Sequence, residues 1–464
     1  MSGTRLRRVC LPLLVLLLGM HTAPWALAAS APPGSRFPQP DFESGYRLPA
    51  TPVPAPRALS LEYLDVAVLL AALSLATWLA LRSRSRRGLY LLGIFSTLYF
   101  GFWRKGCICA VGSTQNVVQA LADPSSALPL TALAFFVLPL LFALLFGRTF
   151  CAGVCPLGGI QDLVVLRPVR VPRALAQALG LLPYLYLGAV LLFAATGAGY
   201  MICRYEPFVP LYRMSGTGPM LLAGGAFLVA GVWVARPYCR FLCPYGVLLN
   251  WASLLSREHV AITPAECVAC RLCEGACPFG AIRAPVPEHP AERPAAGRRR
   301  LGTLLLLLPL LVGFGGWLGG RTQPALSRVH PTIRLAEEVR REELGQTRET
   351  TPAIEAFRQT ATPASILFGE AEALRRRYRR GGILLGAFMG LVVGGKLIGL
   401  SRLQRRTIHE PDRGECLSCG RCFESCPIDY LRRHGGPGRY AELLASLEQP
   451  SSGRASTAGA GGAT

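Results

Sequence analysis

The sequence predicts an all-α membrane protein, a bundle of about seven transmembrane helices carrying a cysteine-rich module split between two stretches of chain. Three observations predict it. Hydrophobic residues make up 51% and charged residues 16% of the 464 positions, a composition suited to lipid. Several apolar runs approach or exceed the ~18 residues that cross a bilayer core as a helix. The 16 cysteines fall mostly at short spacings, which suggests metal ligation more than a disulfide framework.

Residues 1–28 read as a signal peptide. Arg5, Arg7 and Arg8 open it, Val9–Met20 is apolar, and Ala26-Leu27-Ala28 offers small residues for cleavage; an uncleaved anchor helix is the alternative. Residues 29–60 form a Pro-rich, extended strap on the periplasmic face. Spans are expected at 61–81, 88–103, 126–147, 176–197, 217–235, 301–319 and 382–400, the first five forming a membrane core over 61–250. With the chain entering from outside, Arg82, Arg84, Arg86, Arg87, Arg148, Arg167, Arg170, Arg173, Arg236, Arg240 and Arg298–Arg300 all fall inside, as the positive-inside rule requires. The expected location is the bacterial inner membrane.

Residues 320–381 make a periplasmic loop, helical in pieces, with Thr351-Pro352 and Thr362-Pro363 suited to helix starts. The loop ends in Arg375-Arg376-Arg377-Tyr378-Arg379-Arg380, against the charge rule, which is weak for loops of about 60 residues. Gly386, Gly390 and Gly394 give the last span a face that admits a neighbouring helix, and Lys396 snorkels to the interface. The tail, 436–464, ends disordered.

The net charge of +22 does not point to nucleic acid. It comes from 47 Arg and only 2 Lys, many of the Arg flank apolar segments, and no aromatic-and-basic stripe accompanies them.

The chemistry lies in the cysteines. Cys267-x2-Cys270-x2-Cys273-x3-Cys277-Pro278 recurs as Cys416-x2-Cys419-x2-Cys422-x3-Cys426-Pro427, within segments 258–297 and 407–435. Three thiolates at this spacing wrap one cubane cluster, and the fourth points away to the other cluster of a two-cluster ferredoxin. The reading is therefore a split ferredoxin-like module with two [4Fe–4S] clusters. Cys267, Cys270, Cys273 and Cys426 hold one; Cys416, Cys419, Cys422 and Cys277 hold the other. Structural zinc favours two separated pairs over such a run. The 139 positions between Cys277 and Cys416 contain two spans, so both runs return to the cytoplasmic side, where thiols stay reduced.

A second repeat lies at the membrane edge. Cys151-x3-Cys155-Pro156-Leu-Gly158 follows the third span, and Cys239-x3-Cys243-Pro244-Tyr-Gly246 the fifth. The two pairs together could supply four ligands to a metal or iron–sulfur centre; thiol chemistry and a structural role are the alternatives. Cys107-Ile108-Cys109-Ala-Val-Gly112-Ser-Thr-Gln115-Asn resembles Cys155-Pro-Leu-Gly158-Gly-Ile-Gln161-Asp. By the span count it lies on the periplasmic side, with Cys203-Arg-Tyr-Glu206-Pro207. Cys107, Cys109 and Cys203 are candidates either for a redox site or for a disulfide.

Paired Cys-x3-Cys-Pro motifs after transmembrane helices, followed by ferredoxin runs, resemble the NapH/NosR-type membrane polyferredoxins over roughly residues 60–280 and the final run. The resemblance implies a membrane electron-transfer subunit, not itself catalytic. Its partners would be lipid, a quinone or cytoplasmic electron donor, and a periplasmic redox protein. It also admits a maturation factor reducing copper or thiols for a periplasmic oxidoreductase, or a redox-sensing regulator. The outer flavin domain of NosR-like members has no counterpart in the sequence. No Cys-x-x-Cys-His occurs and no His falls in a span, which disfavours haem, and there is no Walker loop or dinucleotide fingerprint.

Overall fold

The computed structural model describes residues 58–106, 109–126, 128–262, 267, 269–285, 294–346, 351–401, 406 and 408–434. The signal peptide over 1–28, almost all of the strap, the tail over 436–464 and Cys107 lie outside them.

Helices α1 (Leu59–Thr77) and α2 (Arg86–Ser96) each run on into a wider π-helical stretch, Trp78–Ser83 and Thr97–Trp103. A threonine hydroxyl marks both transitions: Thr77 donates to Leu73 O and Thr97 to Gly93 O, each at 2.8 Å. Side chains that take the carbonyl four residues back loosen the regular ladder there. The core is completed by α3 (Ala110–Ala122), α4 (Leu130–Phe146), α5 (Pro156–Val164), α6 (Leu182–Ala195), α7 (Gly218–Trp233) and α8 (Pro244–Leu254).

Seven spans were expected; among the described residues four helices are long and apolar enough to cross a membrane, Leu59–Ser83, Arg173–Ala195, Ala295–Arg321 and Ala364–Ser401. The segments expected at 126–147 and 217–235 form apolar helices of 17 and 16 residues. At 1.5 Å per residue these reach only ~25 Å, short of a ~30 Å bilayer core. Gly147, at φ 73°, ends α4 and turns the chain into the first Cys-x3-Cys-Pro motif. The segment at 88–103 is the joined α2 and π-stretch, and it is not among the four.

Helices α9 (Pro294–Arg321), α10 (Pro331–Glu343) and α11 (Ala364–Ser401) follow. Of the most apolar window, only 6% is buried in α9 and 11% in α11, against 56% in the first candidate span, so this hairpin stands largely outside the core. Its seam is glycine: a Cβ on Gly319 would strike Gly382 O, and one on Gly386 would strike Gly315 O. Bare backbone lets the two helices touch. Lys396 donates to Gly180 O at 2.6 Å, at the end of the short helix Arg173–Leu179, rather than reaching only for solvent. With 38 residues, α11 is about 57 Å long. Its arginine-rich stretch stays helical, Arg375 donating to Glu337 at 3.1 Å. Tyr378, Leu367 and Ala371 there pack on Ile333, Ala336 and Val339 of α10, a second apolar core.

At the opposite end of α11 the two ferredoxin segments meet. β1 (Ile282–Arg283) pairs antiparallel with β2 (Glu410–Pro411), and Asp412 N–H adds a bond to Ala281 O at 2.7 Å. Arg283 reaches Asp412 and Glu415 at 3.3 and 3.0 Å.

Candidate metal centres

Each ferredoxin run is bent by left-handed residues on both sides of its second cysteine: Ala269 (φ 52°) and Arg271 (φ 61°), then Ser418 (φ 54°) and Gly420 (φ 81°). Such turns aim successive N–H groups into one concavity. The N–H groups of Ser418, Arg421 and Phe423 bond the sulfurs of Cys416, Cys419 and Cys422, and that of Glu274 bonds Cys273. N–H donors to sulfur are the interactions that tune an iron–sulfur cluster. Burial pushes the Cys416 thiol up to about 12 and that of Cys273 to about 11, so ionising them needs a compensating cation.

The fourth cysteine of each run lies near the other run. Cys277 lines one small cavity with Cys416, Cys419 and Cys422, and Cys426 lies within electrostatic reach of Cys273, beside Cys267 and Cys270. No three described His, Cys, Asp or Glu side chains are close enough for one ion. The donor set, with its sulfur-directed N–H groups, fits a bulkier iron–sulfur cluster better than zinc. His409, 4% exposed, has Nδ1 3.9 Å from Cys267 Sγ and Nε2 3.8 Å from Glu274.

Cys151, Cys155, Cys239 and Cys243 are brought together beneath this module, each of Cys239 and Cys243 feeling the charge of the first pair. Cys155 and Cys243 are the N-caps of α5 and α8, each followed by a proline whose fixed φ suits the first helical position. An arginine stands three residues before each pair and reaches across to the other copy. Arg148 lies over Gly246, where a Cβ would come within 3.3 Å of its Nη2; Arg236 lies over Gly158, 3.2 Å from Nη1. Both glycines are the room the guanidinium needs. Arg236, 1% exposed, donates to Cys151 O and pairs with Asp162. Arg148 Nη1 donates to Gly414 O at 3.0 Å, two residues before Cys416, and Arg240 Nη1 to Pro278 O at 3.4 Å, just after Cys277. Ser253 Oγ adds a bond to Arg413 O. The ferredoxin module is thus fastened onto the four-cysteine site.

The third group, Cys109 and Cys203, lies near the four cysteines: burial holds the Cys155 thiol up, with smaller contributions from Cys151 and Cys109. No disulfide joins Cys109 and Cys203. Burial pushes Cys109 up to about 12 and the Glu206 carboxyl up to about 8.

Sequence reasoning read Arg148 and Arg236 only as charges flanking helices; their equal distance ahead of each cysteine pair was the available signal. It passed over Asp162 and Glu206 as bystanders in their motifs. His409 carried no signal, being a lone histidine far from Cys267 in the chain.

Family models described as "4Fe-4S binding domain" match residues 128–173 and 215–262, which contain both Cys-x3-Cys-Pro copies, and residues 260–283. The chain is 34% identical to protein NirI of Paracoccus denitrificans over 30% of its own length and 22% of NirI. It is 28% identical to the putative electron transport protein YccM of Escherichia coli over 35% of this chain and 49% of that one. It is 25% identical to the regulatory protein NosR of Stutzerimonas stutzeri over 41% and 28%. The match thus spans half or less of each of these relatives. No solved structure gives a significant match. The chain thus carries segments that match 4Fe-4S binding domain models and is similar, over part of its length, to NirI, to the putative electron transport protein YccM and to NosR.

Proposed function

We propose that this protein passes electrons across a membrane, between cytoplasmic or quinone donors on the ferredoxin side and a periplasmic redox partner. Cys267, Cys270, Cys273 and Cys426 would hold one [4Fe–4S] cluster, Cys416, Cys419, Cys422 and Cys277 a second, and Cys151, Cys155, Cys239 and Cys243 a further centre. Bound there, iron–sulfur clusters supply reversible one-electron chemistry, their potentials set by the protein. The observation that carries the reading is the fastening of one cysteine site onto the other. Arg148 and Arg240 each join a Cys-x3-Cys-Pro copy to backbone beside a ferredoxin cysteine. Neither arginine is positioned for acid–base work, since both are spent on carbonyls. The expected arrangement is seven crossings of the inner membrane, with the two short apolar helices and α2 completing the four longer ones, ferredoxin segments inside and 320–381 outside.

The test is anaerobic purification in detergent with iron and sulfide analysis and EPR. Cys426→Ala should disturb the cluster of Cys267, Cys270 and Cys273. Loss of the Cys416–Cys422 signal instead would show that each run keeps its own cluster. Cys239→Ser with Cys243→Ser should leave both ferredoxin signals intact and stop transfer from the ferredoxin side of liposomes to an impermeant acceptor on the other; undiminished transfer would exclude the four cysteines from the route.

A further inference from the structure

The clamp that holds Cys239 is repeated around Cys203. In the first, the buried Gln161 donates from Nε2 to Cys239 Sγ at 3.2 Å and accepts at Oε1 from the Tyr238 N–H at 3.1 Å. In the second, the buried Gln115 donates from Nε2 to Cys203 Sγ at 3.3 Å and accepts at Oε1 from the Ile202 N–H at 2.9 Å. Each glutamine thus spends its amide on one cysteine and on the residue before it. Around the clamps the correspondence continues. Cys109 caps α3 as Cys155 caps α5, and Gly112 and Gly158 stand three residues further on. Cys239-Arg-Phe-Leu-Cys243-Pro244 is matched by Cys203-Arg-Tyr-Glu206-Pro207, one residue shorter, with Glu206 where Cys243 would stand before the proline.

Glu206 is the independent sign of a ligand. It is 2% exposed; its carboxyl takes the Tyr238 O–H at Oε2 and also a Phe208 backbone N–H, while Oε1 has no hydrogen-bond partner among the described residues. A buried carboxylate oxygen with no donor is costly unless something positive faces it. Glu206 lines a cavity of about 170 Å³ together with Cys109, Cys203, Gly112, Ser113 and Asn116. The chamber has room for a multi-atom group, and among the described residues its three candidate ligands are not close enough together for a single ion.

We propose that Cys109, Cys203 and Glu206 hold an additional iron–sulfur cluster with mixed thiolate and carboxylate ligation, paired with the centre on Cys151, Cys155, Cys239 and Cys243. The inference rests on the reading of those four cysteines as a cluster site, because the shared clamp is what transfers the role. Gln115 acts as a positioning residue, fixing Cys203 and donating to its sulfur as Gln161 does for Cys239. An oxygen ligand is harder than a thiolate, so this centre has a potential of its own. Tyr238 links the two, its hydroxyl on Glu206 and its backbone next to Cys239.

The experiment uses the full chain, purified anaerobically, with iron, sulfide and EPR as readouts. Cys109→Ser with Cys203→Ser should lose one cluster's iron and sulfide and one EPR signal, different from that lost in Cys239→Ser with Cys243→Ser. Unchanged iron and a full set of signals in the first variant overturns the proposal, whatever the second shows. An unchanged second variant alone sinks the four-cysteine reading and leaves this one to its own result. Should the double variant not accumulate, Glu206→Cys and Glu206→Gln decide. A retained signal with altered g values or midpoint potential is expected, and spectra and potential identical to wild type would overturn the proposal. Gln115→Glu should shift the same signal's potential without removing iron, which a purely structural glutamine would not do.

Discussion

The two Cys-x3-Cys-Pro copies share a backbone plan and differ in what their arginines hold. Arg236 is answered within the four-cysteine site, by Asp162 six residues after Pro156 and by Cys151 O. Arg148 finds no such acid in the second copy, where Asn250 stands at the position of Asp162. It reaches instead to Gly414 O in the ferredoxin segment. One copy therefore closes the site on itself and the other opens it to its neighbour.

Breaking that division should cost most where the pair is buried. Arg236→Gln leaves Asp162 without its cation; removing one partner of a fully buried pair costs about 3–5 kcal/mol, and Asp162, 24% exposed, brings the loss to or below the lower end of that range. Thermal unfolding in detergent should show the loss, with iron at the four-cysteine site lost alongside it. Arg148→Ala gives up a charged donor's bond to a carbonyl, about 1.5–3 kcal/mol. Its effect should be confined to the docking of the ferredoxin end, seen as faster amide exchange over 410–424 with the helices unchanged. Equal losses across both ends in the two variants would show that the copies are not specialised. Arg240→Gln removes a long bond, 3.4 Å, to Pro278 O. At about 0.5 kcal/mol or less, it should leave stability within error and serve as the control.

Much of this was visible in the residues. The cysteine spacings carry the ferredoxin runs because ligands must follow one another at fixed intervals around a cluster, and that interval is local. The convergence of Cys277 with Cys416, Cys419 and Cys422 needed only the even number of long apolar stretches between them. The helix count was harder. Hydropathy marks apolar residues, not helix length: the helix expected over 126–147 starts only at Leu130, after Pro129, and Val234 ends the one expected over 217–235. In α11 the reverse happened, since Arg375–Arg380 end an apolar window without ending a helix. Glu206 was hidden by the single missing residue between Cys203 and Pro207, which puts a carboxylate out of register with Cys243. Arg148 and Arg236 were hidden by a sufficient explanation of another kind, as topology signals.

The cavity walled by Cys277 together with Cys416, Cys419 and Cys422 also sets a schedule for making the protein. At roughly 5–20 residues per second of synthesis, the 139 positions between Cys277 and Cys416 take roughly 7–28 s. During that interval the first half is already made and its pocket has one wall. A cluster delivered then would find three cysteines of Cys267–Cys273 and no Cys426. On the ligand pairing proposed above, complete loading waits until α9 and α11 have been made and Cys426 is present. Pulse-labelled chains stopped before Arg406 should carry no ferredoxin iron, and those released after Cys426 should carry the full amount.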